Sequence, residues 1–210
     1  MAILSGKTKA ALLGPLNKDN PVIVQVLGIC SALAVTAKLE PAIVMAIAVT
    51  VVVALANVII SLLRKLIPTR VRMIVQLMVA ATLVAIVSEL LKAYAFDVNR
   101  QLSVFVGLIV SNCILMGRME AFALGNGPWP SFLDGIGNGL GYGWILVVLG
   151  FVRELFGSGT LLGYQIIPQI FYDAGYQNNG FMSLAPMAIL LTGVIIWIHR
   201  ARNKDLQETE

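Results

Sequence analysis

The chain has 210 residues, of which 58% are hydrophobic and only 12% are charged, and its mean hydropathy is +0.86. These values exclude a soluble globular domain and are typical of a protein that crosses a membrane several times. The net charge of +4 does not indicate a nucleic-acid partner, because the basic residues are scattered at the ends of apolar segments and form no basic face.

Residues 1–20 are predicted to form a cytoplasmic N-terminal segment. The apolar stretch AALLGPL that follows Lys9 is interrupted by Gly14 and Pro15, so it is too short for the core of a signal peptide. We therefore expect the chain to keep its N-terminus.

Six charge-poor apolar segments follow along the chain. A helix needs roughly 20 apolar residues to cross about 30 Å of hydrocarbon. The predicted spans are residues 21–37, 41–63, 73–95, 101–117, 136–156 and 181–198. The sequence therefore predicts an all-α membrane protein with six transmembrane helices.

The distribution of basic residues predicts the orientation of these helices. The loop between the second and third spans contains Arg64, Lys65, Arg70 and Arg72 and no acidic residue, and the sixth span runs into the basic sequence HRARNK. Basic segments favour the cytoplasmic side, and six crossings place this loop and the tail on the same side. The N-terminus and the tail, residues 201–210, are therefore both predicted to be cytoplasmic.

The two cysteines lie in the two shortest predicted spans, Cys30 in VLGICSALAV and Cys113 in GLIVSNCILMG. Each cysteine follows residues that are polar or that weaken a helix, namely Gln25 and Gly28 in the first span and Ser111 and Asn112 in the fourth. Short hydrophobic segments at corresponding positions of two halves indicate broken helices that form a site at the membrane midplane. The first and fourth helices are therefore predicted to be broken.

The two halves, residues 21–100 and 101–200, are predicted to be copies of one three-helix unit. In each half the cysteine is followed by a basic and an acidic residue, Lys38 with Glu40 and Arg118 with Glu120. A unit with three crossings places the second copy upside down relative to the first, so the repeats are expected to be inverted. The two thiols would then approach the midplane from opposite sides.

The residues alone leave three interpretations of Cys30 and Cys113 open. Each can be a small hydrophobic packing residue, the pair can form a disulfide, or both can be metal ligands. A buried thiolate needs a cation to offset the cost of its charge. An iron–sulfur cluster normally takes four cysteines, so two from this chain would require two more from a second chain.

The glycine-rich stretch LDGIGNGLGYGW does not fit a nucleotide-binding loop, because Leu140 stands where the third glycine would be required. Gly135, Gly139 and Gly143 recur every four residues, which favours a flat helix face for close packing.

Ionisable residues within the spans are few. Glu89 and Lys92 are one turn apart and are expected to pair, while Arg153 and Glu154 close the fifth span and are predicted to lie at the interface with partners or water. His199, at the end of the sixth span, is also interpreted as an interfacial residue. No carboxylate lies near the centre of a predicted span, so the usual proton-relay or sodium-binding side chain is not expected.

Several stretches resemble the membrane subunits of the sodium-translocating NADH:quinone oxidoreductase and the related Rnf complex. They are LLGPLNKDNPVIVQVLGICSALAV, the loop after the second span, LIVSNCILMGRMEAFA and NGPWPSFLDGIGNGLGYG. The resemblance covers essentially the whole chain and is strongest to the D-type branch of the family. The E-type member of the Rnf complex is the nearest alternative.

This resemblance implies a multi-pass subunit of a six-subunit complex in the bacterial inner membrane. The subunit would not be catalytic alone, and other subunits would bind NAD, flavins and quinone. It would pair with a homologous E-type partner of opposite topology, and the two would share a [2Fe–2S] cluster through two cysteines each. The matching residues here are Cys30 and Cys113. The cluster would relay electrons across the lipid bilayer, coupled to Na⁺ translocation.

A different functional class is also compatible with inverted repeats. In a secondary transporter, broken helices bind the substrate, and the cysteines would then be packing residues.

Overall fold

The computed structural model describes residue 14 and residues 20–68, 70–94, 107–161, 164–165 and 180–203. Six α-helices have their bounds within these ranges: α1 (Ile29–Val35), α2 (Leu39–Leu63), α3 (Arg72–Tyr94), α4 (Cys113–Arg118), α5 (Pro128–Ser158) and α6 (Ala185–Arg202). A π-helix, Met119–Ala123, continues α4, and a 3₁₀ helix, Gly180–Ser183, precedes α6. The antiparallel ribbon of Thr160–Leu161 with Tyr164–Gln165 is a small departure from the predicted all-α chain.

Three helices of the described ranges are long and apolar enough to cross a membrane: α2, residues 72–90 of α3, and α5. The second and third predicted spans agree closely with α2 and α3. The first predicted span contains only the seven-residue α1, and the fourth contains a helical turn at residues 107–110 followed by the six-residue α4. Residues 101–106 of the fourth span lie outside the described residues.

Helix α5 begins at Pro128, whereas the sequence predicts that the fifth span begins near residue 136. Proline is favourable at the first position of a helix, where its missing N–H leaves no hydrogen bond unmade. The helix continues through the glycines that follow, because their close packing against α2 stabilises it. As a result Asp134, which precedes the predicted span, lies inside α5 and is buried.

The closest packing in the fold joins α2 to α5, which run antiparallel. A Cβ atom built on Gly135 would lie 2.6 Å from the Cα of Ala54, and one built on Gly139 would lie 2.7 Å from the Cα of Thr50. These distances are too short for any side chain, so glycine is required at both positions. The helix-packing interpretation of the glycine-rich stretch is confirmed.

The two short helices approach opposite ends of the α2–α5 pair. Helix α1 leads through residues 36–38 into the N-terminal end of α2. Helix α4 and the π-helix lead through residues 124–127 into α5, beside the C-terminal end of α2, where the hydroxyl of Ser61 donates to the carbonyl of Asn126 at 2.6 Å. α1 and α4 therefore lead toward opposite ends of one central helix pair.

Arg153 and Glu154 have protein partners and little contact with solvent, since both residues are buried, with Arg153 only 1% exposed. The carboxylate of Glu154 accepts the backbone N–H of Leu39, the first residue of α2. The pairing of Glu89 with Lys92 is confirmed, at 2.6 Å on the exposed face of α3. His199 lies in the last turn of α6, beside Asn203.

Candidate functional site

Cys30 and Cys113 each lie in the first turn of a short helix. Cys30 is the second residue of α1, which begins after Gly28, and Cys113 is the first residue of α4, which begins after Asn112. The side-chain oxygen of Asn112 accepts the N–H of Ile114 at 3.2 Å, so this residue caps α4. Both thiols are free and exposed, and the structure therefore contains no disulfide between them.

The segment that leads to Cys30 is irregular because side-chain hydrogen bonds compete with helix formation. The oxygen of Asn20 accepts the N–H groups of Val22 and Ile23 at 3.0 and 3.2 Å. Its amide nitrogen donates to the carbonyl of Gly141 at 3.2 Å. Asn20 therefore starts the turn and holds the segment against the middle of α5.

Three buried side chains, Ser31, Asn112 and Tyr142, form a polar hub between the two cysteine-bearing segments. The amide nitrogen of Asn112 donates to the hydroxyl of Ser31 at 3.1 Å. The hydroxyls of Ser31 and Tyr142 are 2.6 Å apart, and Tyr142 also lies 3.5 Å from the Asn112 amide nitrogen. The hub thus joins the residue after Cys30, the residue before Cys113 and the middle of α5.

Gly28 closes the hub on the side of α1. Its φ of 79° lies in the left-handed region, which favours glycine. A Cβ atom at this position would lie 3.0 Å from the Cε2 atom of Tyr142 and 3.3 Å from the Oδ1 atom of Asn112. The backbone of Gly28 can therefore approach the tyrosine ring only because it carries no side chain.

A second polar cluster lies at the end of α4 that is remote from Cys113. Arg118 forms a salt bridge with Asp134, with a second contact of 3.1 Å from its Nε atom, and its guanidinium stacks on Phe122 at 5.6 Å. Glu120, in the π-helix, forms a salt bridge with Arg72 at the start of α3. Arg118 and Glu120, the basic and acidic residues that follow Cys113, therefore bind different helices.

Arg153 forms hydrogen bonds with the C-terminal end of α1, the end remote from Cys30. Its guanidinium donates to the carbonyl of Leu33 and to the hydroxyl of Thr36, at 3.3 and 2.6 Å. It also donates to the carbonyls of residues 182–184, which precede α6. One buried side chain thus connects α1, α5 and the entry to α6.

Sequence reasoning identified Asn112 and Gly28 near the cysteines but missed Tyr142, Asn20 and the burial of Arg153. The sequence does contain one signal for Tyr142, which stands between two glycines of an apolar helix. A tyrosine hydroxyl that is buried there usually finds a hydrogen-bond partner, so the pattern indicates a buried polar contact. The identity of that partner depends on which segments meet in three dimensions, and no local pattern supplies it.

The described ranges contain no group of three or more histidine, cysteine or acidic residues positioned to hold a metal ion. Cys30 and Cys113 fit a metal centre in a more limited way, as two exposed thiols on segments that contact each other through the hub. This arrangement offers half of a four-thiolate set on the outer surface of the chain.

Comparison with known proteins gives a consistent result over nearly the whole length. A family model described as "Rnf-Nqr subunit, membrane protein" matches residues 8–196. The chain is 56% identical over 197 residues to the D-type subunit of the Na⁺-translocating NADH-quinone reductase of Serratia proteamaculans, covering 94% of each chain. It is 54% identical over 202 residues to the D-type subunit of that reductase from Shewanella sp. strain ANA-3, covering 96% of each chain.

Proposed function

The chain belongs to the Rnf-Nqr family of membrane subunits, and on that basis we propose that it is the D-type subunit of a sodium-translocating NADH-quinone reductase. Two relatives that carry this name are similar over at least 94% of both chains. The complex would be a translocase of the bacterial inner membrane. This chain would act only as part of it, and other subunits would bind NADH, flavins and quinone.

We propose further that Cys30 and Cys113 supply half of the ligands of an intramembrane [2Fe–2S] centre, the other half coming from a homologous E-type partner. The observation that carries this proposal is the contact between Asn112 and Ser31, the immediate neighbours of the two cysteines. The neighbours are buried while both thiols are exposed. The thiols are therefore presented outward, where a second chain can complete the ligand set.

Such a centre would supply one-electron chemistry near the membrane midplane. The residues of this chain would hold two thiolates at a fixed spacing and close the protein side of the site with the buried hub. The exposed side would be sealed by the partner. The partner would bury both thiolates, and a buried thiolate is stable only beside a cation, so the assembled pair should require the metal centre.

The placement of α1 and α4 supports the proposed inverted repeat of residues 21–100 and 101–200. The two cysteine ends meet at the hub, and the helices then lead to opposite ends of the antiparallel α2–α5 pair. Such an arrangement is expected for two copies related by an axis in the membrane plane.

We propose an N-in and C-in topology, which cysteine labelling can test. Gly125 lies in the loop that contacts the C-terminal end of α2, and Gly180 precedes α6 at the Arg153 end; both are exposed. In a chain whose Cys30 and Cys113 are replaced by serine, a membrane-impermeant maleimide should label Gly125→Cys only from the cytoplasm and Gly180→Cys only from outside. Labelling of both from one side would contradict the topology.

Co-expression tests the shared centre. The chain purified alone should contain no iron or labile sulfide, whereas the chain purified with its homologous partner should contain both. Stable iron in the chain purified alone would contradict the heteromeric pair. It would indicate instead a homodimer in which two copies of this chain supply the four cysteines. Iron absent from the pair, together with substrate-dependent flux in vesicles that contain the chain alone, would favour the secondary transporter instead.

A further inference from the structure

We propose that Tyr142 is a positioning residue for Cys30 and Cys113: its hydroxyl holds the two cysteine-bearing segments in one arrangement and thereby sets the spacing of their thiols. This inference rests on the proposed function for its consequence in electron transfer, because the spacing matters there only if the thiols hold a metal centre. The geometry that it requires can be measured without a metal.

The protons of the hub can be assigned from its hydrogen bonds. The hydroxyl of Ser31 donates its one proton to the carbonyl of Gly28 at 2.9 Å. While the Ser31 proton is directed to Gly28, Tyr142 is the donor in the 2.6 Å contact between the two hydroxyls. Asn112 donates a further hydrogen bond to the same Ser31 oxygen, which fills both of its acceptor positions.

With this assignment, Ser31 uses its one proton and both of its acceptor positions, one of them for the Tyr142 hydroxyl. If the tyrosine hydroxyl is removed, one acceptor position of Ser31 is left empty in a buried site, since Ser31 is 2% exposed and Tyr142 is 0% exposed. The amide of Asn112 loses its second contact as well. Each cysteine-bearing segment then has one fewer hydrogen bond to α5.

The position of Tyr142 explains why it can act on both thiols together. It lies on α5, whose glycines fix it firmly against α2, whereas the cysteines lie on helices of seven and six residues. Short helices have few internal hydrogen bonds and depend on tertiary contacts for their placement. A rigid long helix therefore supplies the reference point from which both short helices are placed.

The hub contains the immediate chain neighbour of each cysteine. Ser31 follows Cys30 and Asn112 precedes Cys113, so a shift of either hub residue moves the adjacent thiol. Hydrogen bonds around ligating groups fix ligand orientation and tune the potential of iron–sulfur centres. Tyr142→Phe should therefore alter the properties of a centre held by these thiols without removing a ligand.

The first test uses the full chain in lipid nanodiscs. Cys30 and Cys113 are the only cysteines of the sequence, and both are exposed, so nitroxide labels can be attached to them without other changes. Dipolar broadening of the continuous-wave electron paramagnetic resonance spectrum, which is sensitive to the short separations expected here, then gives the distribution of distances between the labels. We expect a single narrow distribution in the parent chain and a broader or split one in Tyr142→Phe.

Thr192→Val is the matched control for this variant. It also removes one buried hydroxyl, but the Thr192 hydroxyl donates only to the carbonyl of Ala188 within α6. The control should leave the distance distribution unchanged. If Tyr142→Phe fails to fold, Ser31→Ala removes the oxygen at the centre of the hub and should broaden the distribution in the same way. A parent-like distribution in either hub variant would overturn the proposal.

The second test uses the assembled complex. Tyr142→Phe should keep its iron but show a shifted midpoint potential and an altered resonance line shape, whereas Thr192→Val should match the parent. A broadened distance distribution in Tyr142→Phe, together with iron retained by both Cys→Ser variants, would support the positioning role and contradict the proposed centre. Loss of all iron from both Cys→Ser variants with no effect of Tyr142→Phe in either test would overturn the positioning role alone.

Discussion

The amide nitrogen of Asn112 donates a 3.1 Å hydrogen bond to the hydroxyl of Ser31 across 81 positions of sequence. This bond joins the two halves of the chain at the residues that adjoin its two cysteines. Asn112 also caps α4 through Ile114, so one side chain both begins the Cys113 helix and ties it to the Cys30 helix.

Asn112→Ala should lower the free energy of unfolding by about 1 kcal/mol for the lost cap and by about 1 kcal/mol for the lost bond to Ser31. Thermal unfolding of the complex in nanodiscs measures the effect. Ser111→Ala is the control, because the exposed Ser111 hydroxyl donates only to the carbonyl of Gly107. Equal stabilities of the two variants would show that the Asn112 bonds are unimportant.

Gly139→Ala should weaken the packing of α5 on α2. The new Cβ atom would lie 2.7 Å from the Cα of Thr50, and backbone cannot move aside as a flexible side chain can. The expected loss is about 1 to 3 kcal/mol, typical of an overpacked contact. Gly193→Ala in α6 is the control, since among the described residues no atom beyond its chain neighbours and its own helix backbone lies within 4 Å of the added methyl group; it should be neutral or slightly stabilising. Unfolding of both variants at the same temperature would contradict the close α2–α5 contact.

Arg153→Gln should destabilise the chain by about 3 kcal/mol or more, because a shorter neutral side chain leaves several buried carbonyls without a donor. The exposed pair of Lys92 and Glu89 provides a contrast. Lys92→Gln should cost at most about 1 kcal/mol, as expected for a solvated ion pair. Comparison of the two unfolding midpoints checks this difference, and an equally mild effect of Arg153→Gln would show that its buried hydrogen bonds contribute little to stability.

The long helices are better predicted from the sequence than the polar contacts, for physical reasons. Helix α2 is predicted at residues 41–63 and observed at Leu39–Leu63, because a long charge-free apolar run marks its body and its C-terminal end, while Glu40 is accommodated in its first turn. The start of α5 is missed, since prolines and glycines disfavour helices in general and are accommodated here by a helix start and by contact with Thr50 and Ala54. The burial of Arg153 is missed because its acceptors come from separate parts of the chain.

The sequence predicts the candidate ligands of the site but not the residues that position them. Cys30 and Cys113 stand out as the only thiols, one in each half. Tyr142 does not, because its role depends on a contact between segments that are remote in sequence. Residues that bind a group directly leave a compositional signal, whereas residues that position them leave a signal only in the folded chain.

Iron content of the assembled complex after Cys30→Ser and Cys113→Ser tests the central claim most directly. Serine nearly preserves the volume of cysteine but is a poor iron ligand, so packing and ligation predict different results. We expect each variant to lose the iron of the shared centre and NADH-driven quinone reduction, while NADH oxidation by an artificial acceptor continues. If both variants keep their iron and full quinone reduction, Cys30 and Cys113 are packing residues and the electron-relay function is contradicted.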